Sequence, residues 1–175
     1  MIDRATSVEE KQNALVGAMR CAWLSEKEED VLTYSTMLLT QSKSTPEVAN
    51  EAYYYRAKTC LKGNKKQEAI ADLSALAKDT RNVYGAEAKY LLAQLYFDEG
   101  QADKAEKEVL DYIEVSTPHA YWLARSFILL SDIYMEMGRE LDAKQYLLSL
   151  KQNYQADDDI AEMIETRLVK LNKEE

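Results

Sequence analysis

The chain has 175 residues, 46% of them hydrophobic and 30% charged, a balance that excludes a disordered chain and allows one sizeable core or a short repeat array. Five glycines, two prolines and no run of alternating β-branched residues exclude a β-rich fold and predict long helices joined by short turns, an all-α chain. With 31 acidic residues against 22 basic, the formal charge of -9 repels phosphate backbones and anionic lipid surfaces, so nucleic acid is not expected as a partner.

The first predicted helix starts behind a capping box, Ser7 to Glu10, and runs through ALVGAMRCAWL (14–24), where Arg20 is the single charge. A helix that is apolar nearly all the way round needs cover on more than one side, whereas a terminal repeat should present a polar outer face. The segment therefore predicts either upstream repeats packing on residues 14–24, the chain being the C-terminal part of a longer protein, or a homodimer through the first hairpin. A second capping box, Ser25 to Glu28, predicts the return helix, and Thr45-Pro46 and Thr117-Pro118 each place a cap residue before a proline at the first helical position. KGNKK (62–66) is the densest basic cluster and sits at a predicted turn, and no apolar run is long enough to insert into a membrane.

A period emerges further along. LLAQLYFDEGQADKAEKEVL (91–110) matches LLSDIYMEMGRELDAKQYLL (129–148) at an offset of 38, and YRAKTCLKGNKKQEAI fits 36 residues earlier with Asn64 in place of Gly100 and Gly138. Small side chains recur in pairs: Ala57 with Ala69, Ala93 with Ala105, Ser131 with Ala143. Only small residues let two antiparallel helices cross closely, so the period describes a helical hairpin. A fainter first copy fits with Ala18 and Asp30 in the paired slots, which puts Cys21 in the column of Cys60, Tyr96 and Tyr134 and reads both cysteines as core fillers. Hairpins are expected at about 7–44, 45–81, 82–117 and 118–155. DDDIAEMIETRLVKLNKEE (157–175) then carries Ile160, Met163, Ile164, Leu168 and Leu171 on one stripe, a capping helix over 157–173. Asp157, Asp158 and Asp159 lack the alternating ligands and glycine of a calcium loop and read as favourable charges at a helix N-terminus.

On Leu92, Ala93, Tyr96, Gly100 and Ala105, and again on Leu130, Ser131, Tyr134, Gly138 and Ala143, the chain resembles the tetratricopeptide repeat family. The resemblance implies a right-handed superhelical array of about four antiparallel helix-turn-helix units spanning 1–175 with a C-terminal capping helix. Gly17 and Arg56 depart from it where the leucine should stand, and the repeats are longer than the family's usual 34 residues. That length is similar to the arrays of bacterial cell-envelope proteins of this family, which implies a periplasmic or envelope-associated location with a cytoplasmic one as the alternative.

In stacked hairpins the first helices line a concave groove. The column two before the small slot is apolar in all copies (Val16, Tyr55, Leu91, Leu129) and reads as packing, and Tyr53 shares a boundary column with Ala14, Lys89 and Phe127. Three before the slot, Leu15, Tyr54, Tyr90 and Ile128 leave packing and binding both open, Tyr54 and Tyr90 being expected side by side as a ladder. One after it come Met19, Lys58, Gln94 and Asp132, and six before it Gln12, Glu51, Glu87 and Arg125, columns whose chemistry varies. The candidate groove is therefore Met19, Trp23, Glu51, Tyr54, Lys58, Glu87, Tyr90, Gln94, Asp98, Arg125 and Asp132, aromatic anchors in a mixed polar surround suited to a peptide or protein segment. The acids among them argue against a clamp for an acidic tail. With His119 as the only histidine and no glycine-rich phosphate loop, no catalytic set, metal site or cofactor is expected. The reading is a non-catalytic interaction scaffold, with self-association through the first hairpin as the alternative.

Overall fold

The computed structural model describes residues 7–41 and 44–172, and these form nine α-helices and no strand. They are α1 (Val8–Leu24), α2 (Glu28–Leu39), α3 (Pro46–Lys62), α4 (Lys66–Leu76), α5 (Val83–Asp98), α6 (Ala102–Glu114), α7 (Ala120–Glu136), α8 (Glu140–Asn153) and α9 (Ile160–Leu171). The helices pack in neighbouring pairs, α1 with α2, α3 with α4, α5 with α6 and α7 with α8. The chain divides into two compact units, Met1–Lys78 with α1 to α4 and Asp79–Glu175 with α5 to α9. In the first unit α1 also touches α3, and in the second α5 touches α7 and α7 touches α9. The paired second helices, α2 with α4 and α6 with α8, make no such contact among the described residues.

One turn closes all four hairpins. Glu26, Asn64, Gly100 and Gly138 have φ of 55°, 55°, 71° and 72°. The next amide in each case donates to the carbonyl five residues back: Lys27 to Ala22, Lys65 to Cys60, Gln101 to Tyr96 and Arg139 to Tyr134, at 2.7 to 2.9 Å. This is the Schellman closure, whose left-handed residue carries no side-chain penalty when it is glycine. The turns correct the register of the first copy by one residue. Ala22, not Cys21, shares the column of Cys60, Tyr96 and Tyr134, and Met19 with Val31, not Ala18 with Asp30, fills the paired slots. Ala57, Ala69, Ala93, Ala105, Ser131, Ala143 and Met19 are all 0% exposed. Ala18 and Asp30 are only half-buried.

The cysteines consequently part company. Cys60 is buried, and burial pushes its thiol up from the ordinary value, while Cys21 is exposed and is no core filler. Iodoacetamide followed by mass spectrometry should give one adduct, on Cys21, in the native protein and two in denaturant, because the buried thiol yields little thiolate. Equal native rates at both sites would contradict the corrected register.

Caps follow the sequence in part. Ser7 and Glu10 form their reciprocal box, and Thr45 caps α3 with Pro46 in its first turn. Ser25, however, is the C-cap of α1, and α2 begins behind Lys27 with no side-chain cap. Nor does Thr117-Pro118 start a helix: the Thr117 oxygen accepts from the His119 amide two residues on, closing a turn, its proton goes to the Thr80 carbonyl, and α7 starts at Ala120 behind His119. In α9 the predicted stripe is inward, with Ile160, Ile164, Leu168 and Leu171 buried and Met163 half-buried; residue 173, where the sequence placed its end, lies outside the described residues.

Candidate functional site

In the unit Met1–Lys78 the candidate residues lie on α1 and α3. Met19 is not among those that can face a partner: it is wholly enclosed with Leu15, Val16, Leu38 and Ala52 in that unit's core. Its place at the surface goes to Arg20, which the turn register puts in one column with Lys58, Gln94 and Asp132. Arg20 grips the buried Glu51 with both forks, Nε to Oε1 at 2.5 Å and Nη2 to Oε2 at 2.7 Å, so α1 and α3 are tied by a charge-assisted pair. Above it, Trp23 packs on Tyr55 (5.1 Å between centroids), Tyr55 meets Tyr54 edge-on (5.6 Å), Lys62 lies 4.7 Å over Trp23 and Lys58 5.7 Å over Tyr54. Tyr55 is thus half-buried and part of an aromatic cluster, not core alone, and two of the three consecutive tyrosines do share a surface. Tyr53 turns away beneath Arg56.

In the unit Asp79–Glu175 the first helices α5 and α7 carry the rest. Tyr90, 6% exposed, stacks on Trp122 with centroids 5.6 Å apart, and the Arg125 guanidinium carbon sits 5.0 Å over the same ring. A chain of hydrogen bonds runs along the face: Arg125 Nη2 to Tyr90 Oη at 2.8 Å, Tyr90 Oη to Gln94 Oε1 at 3.1 Å, Gln94 Nε2 to Asp98 Oδ1 at 2.8 Å. Arg125 Nη1 donates to Tyr121 Oη at 3.1 Å, and the Asp159 carboxylate stands 3.8 Å away. Its Nε is enclosed without a partner. Asp132 accepts both forks of Arg167 on α9, at 2.7 and 2.6 Å. Glu87 is buried. Tyr54 and Tyr90, the two rungs of the expected ladder, belong to different units.

Tyr121, Trp122 and Arg167 have no place among the candidates that the sequence offers, while Arg20 stands there only as the single charge of its helix and Lys62 only as part of a basic turn. Arg20 was displaced by the one-residue slip. Tyr121 and Trp122 precede the columns compared between the copies, and Arg167 lies in a helix outside the repeats.

Two phenols of this second unit are held neutral. Burial first, then a hydrogen bond to Glu106, pushes Tyr134 up to about 12, and burial with the Asp158 carboxylate does the same to Tyr154, also to about 12. The unfolded chain ionises these phenols near 10, so their contribution to stability is complete below pH 10 and is lost as the pH rises from 10 towards 12. Alkaline titration followed by circular dichroism and phenolate absorbance should show unfolding in that window, shallower in Tyr134→Phe; a flat profile would contradict it.

Among the described residues no group of three or more His, Cys, Asp and Glu is placed to hold a metal ion, and no helix is long and apolar enough to cross a membrane. No protein-family model matches the chain, and no curated protein matches it.

Proposed function

We propose that this chain is a non-catalytic interaction scaffold of tetratricopeptide-like hairpins, stacked in the right-handed sense of that family, whose first helices receive a peptide or protein segment. The observation that carries the reading is the ordered ring-and-cation lining of those helices: Trp23, Tyr54, Lys58 and Lys62 in one unit, Tyr90, Tyr121, Trp122 and Arg125 in the other. Rings already fixed by stacking and hydrogen bonds lose little conformational freedom on binding, which is how aromatic and arginine side chains come to dominate interfaces. The hairpin reading is supported by the four like turns and the buried paired slots. Within each unit the first helices touch, α1 with α3 and α5 with α7, as stacked hairpins require. No cofactor, nucleic acid or catalytic role enters this reading.

A peptide library selected on the native chain tests it. The combined variant Tyr54→Ala, Lys58→Ala, Arg125→Ala should weaken the selected peptides at least about tenfold with helicity and mass unchanged. If the peptides bound this variant as well as the parent, the first-helix reading would fall.

Self-association through the first hairpin is the second reading, favoured by the outward exposure of Gly17, Cys21 and Leu24, the last 81% exposed. Sedimentation of Gly17→Arg against the parent decides it: a dimer that becomes a monomer supports it, a monomer in both removes it.

A further inference from the structure

Phe127 and Tyr134 on α7 lie two residues on from Arg125 and Asp132, about 200° round the helix and so on its other side. There they floor a pocket of about 350 Å³ closed by Tyr146 and Asp142 of α8 and by Arg139. The Tyr146 ring lies 5.9 Å from Phe127 and 5.6 Å from Tyr134. Arg139 already sets its guanidinium carbon 3.9 Å over Tyr134, held at 2.8 Å by both Glu106 and Asp142. These rings and acids already hold one guanidinium: Asp142 in the pocket wall and Glu106 of α6 behind Arg139 set two carboxylates against that one cation.

The hairpin α3–α4 has a pocket of about 430 Å³ at the corresponding place, and there one wall is itself a guanidinium. By the turn register, Tyr53, Arg56 and Asp72 correspond to Phe127, Leu130 and Tyr146. There the Arg56 guanidinium stands 5.8 Å over Tyr53 and is bound by both oxygens of Asp72. In α7–α8 the corresponding position is Leu130, so the ring pair Phe127–Tyr146 has no guanidinium from that position. We propose that this pocket docks an arginine side chain of a basic partner segment, its plane against Phe127 and Tyr146 and its charge towards Asp142. The formal charge of -9 favours a basic partner, and a planar guanidinium stacks on rings where an ammonium offers only a point charge. A partner carboxylate would meet an Arg139 that two acids already neutralise. The inference is independent of the first-helix reading and survives its failure.

Titrating the full chain with the blocked peptide acetyl-Gly-Arg-Gly-amide, and with its citrulline counterpart, tests the proposal by nuclear magnetic resonance. Saturable shifts confined to Phe127, Tyr134 and Tyr146, absent with the neutral citrulline peptide, are expected. Asp142→Asn should weaken them about tenfold. Ser149→Phe, an exposed change at the pocket's edge, should block them with the fold intact. Equal shifts from citrulline, shifts elsewhere, shifts indifferent to both substitutions, or none would each overturn it.

Discussion

Replacing Tyr112 with alanine should cost about 3–5 kcal/mol, enough to unfold much of the unit Asp79–Glu175, whereas Tyr112→Phe should be neutral or slightly stabilising. Tyr112 on α6 is among the largest side chains with no exposed surface, so truncation removes a full aromatic ring and leaves a cavity. Its hydroxyl is the odd part. It is enclosed with no well-formed hydrogen bond: the Thr117 hydroxyl is close enough to favour the charged form a little, but its proton goes to the Thr80 carbonyl and its oxygen accepts from the His119 amide. Burial accordingly pushes this phenol up. Removing a polar group that has lost water and gained only a poor contact relieves a cost instead of breaking a good bond. Urea unfolding of the two variants beside the parent separates the effects; a loss of about 1 kcal/mol in Tyr112→Phe would mean that the hydroxyl is bonded after all.

The third and fourth hairpins, and more faintly the second, could be read from letters because the turn signal and the crossing signal agreed, Gly100 with Ala93 and Ala105 in the third. Gly138, or Asn64 in its stead, marked the turn, and Ala57 with Ala69 and Ser131 with Ala143 marked the crossing. In the first hairpin the signals disagreed. Glu26 occupies the left-handed position where a glycine or asparagine is expected, and Met19 with Val31 fills the crossing usually given to small residues, so Ala18 offered a better match one residue early. That single slip exposed Cys21, buried Met19 and hid Arg20. Of the candidate site, the rings were legible as residue types, but their company was not. Arg20–Glu51 and Arg167–Asp132 join residues 31 and 35 apart, Tyr90 meets Arg125 across two helices, and no helical period encodes such pairs. The start of α7 lies elsewhere for a related reason: Thr117 has the chemistry of a cap, but its oxygen closes a turn on the His119 amide and its proton is held by Thr80 from another segment.

Exchanging the ion pair of α3–α4 for its counterpart in α7–α8 should show whether the two hairpins share one frame. Arg56 holds Asp72 with both forks, at 2.8 and 2.7 Å, and also reaches Thr36, and the side chains are 25% and 5% exposed. Asp72→Ala strands a mostly buried guanidinium and should cost about 3 kcal/mol. The double change Arg56→Leu, Asp72→Tyr installs the residues that Leu130 and Tyr146 supply at the corresponding positions of α7–α8, where Leu130 is fully buried and Tyr146 packs on Tyr134. It removes both charges together, so the cost of dehydrating them disappears along with their attraction, and apolar replacements of buried pairs are often neutral or better. The double variant should therefore lie within about 1 kcal/mol of the parent, far above the single, when both are unfolded in urea. A single substitution costing under about 1 kcal/mol would class the pair with ordinary surface bridges. A double variant no better than the single would mean that the space around Asp72 does not match that around Tyr146, and with it the equivalence of the two hairpins would fail.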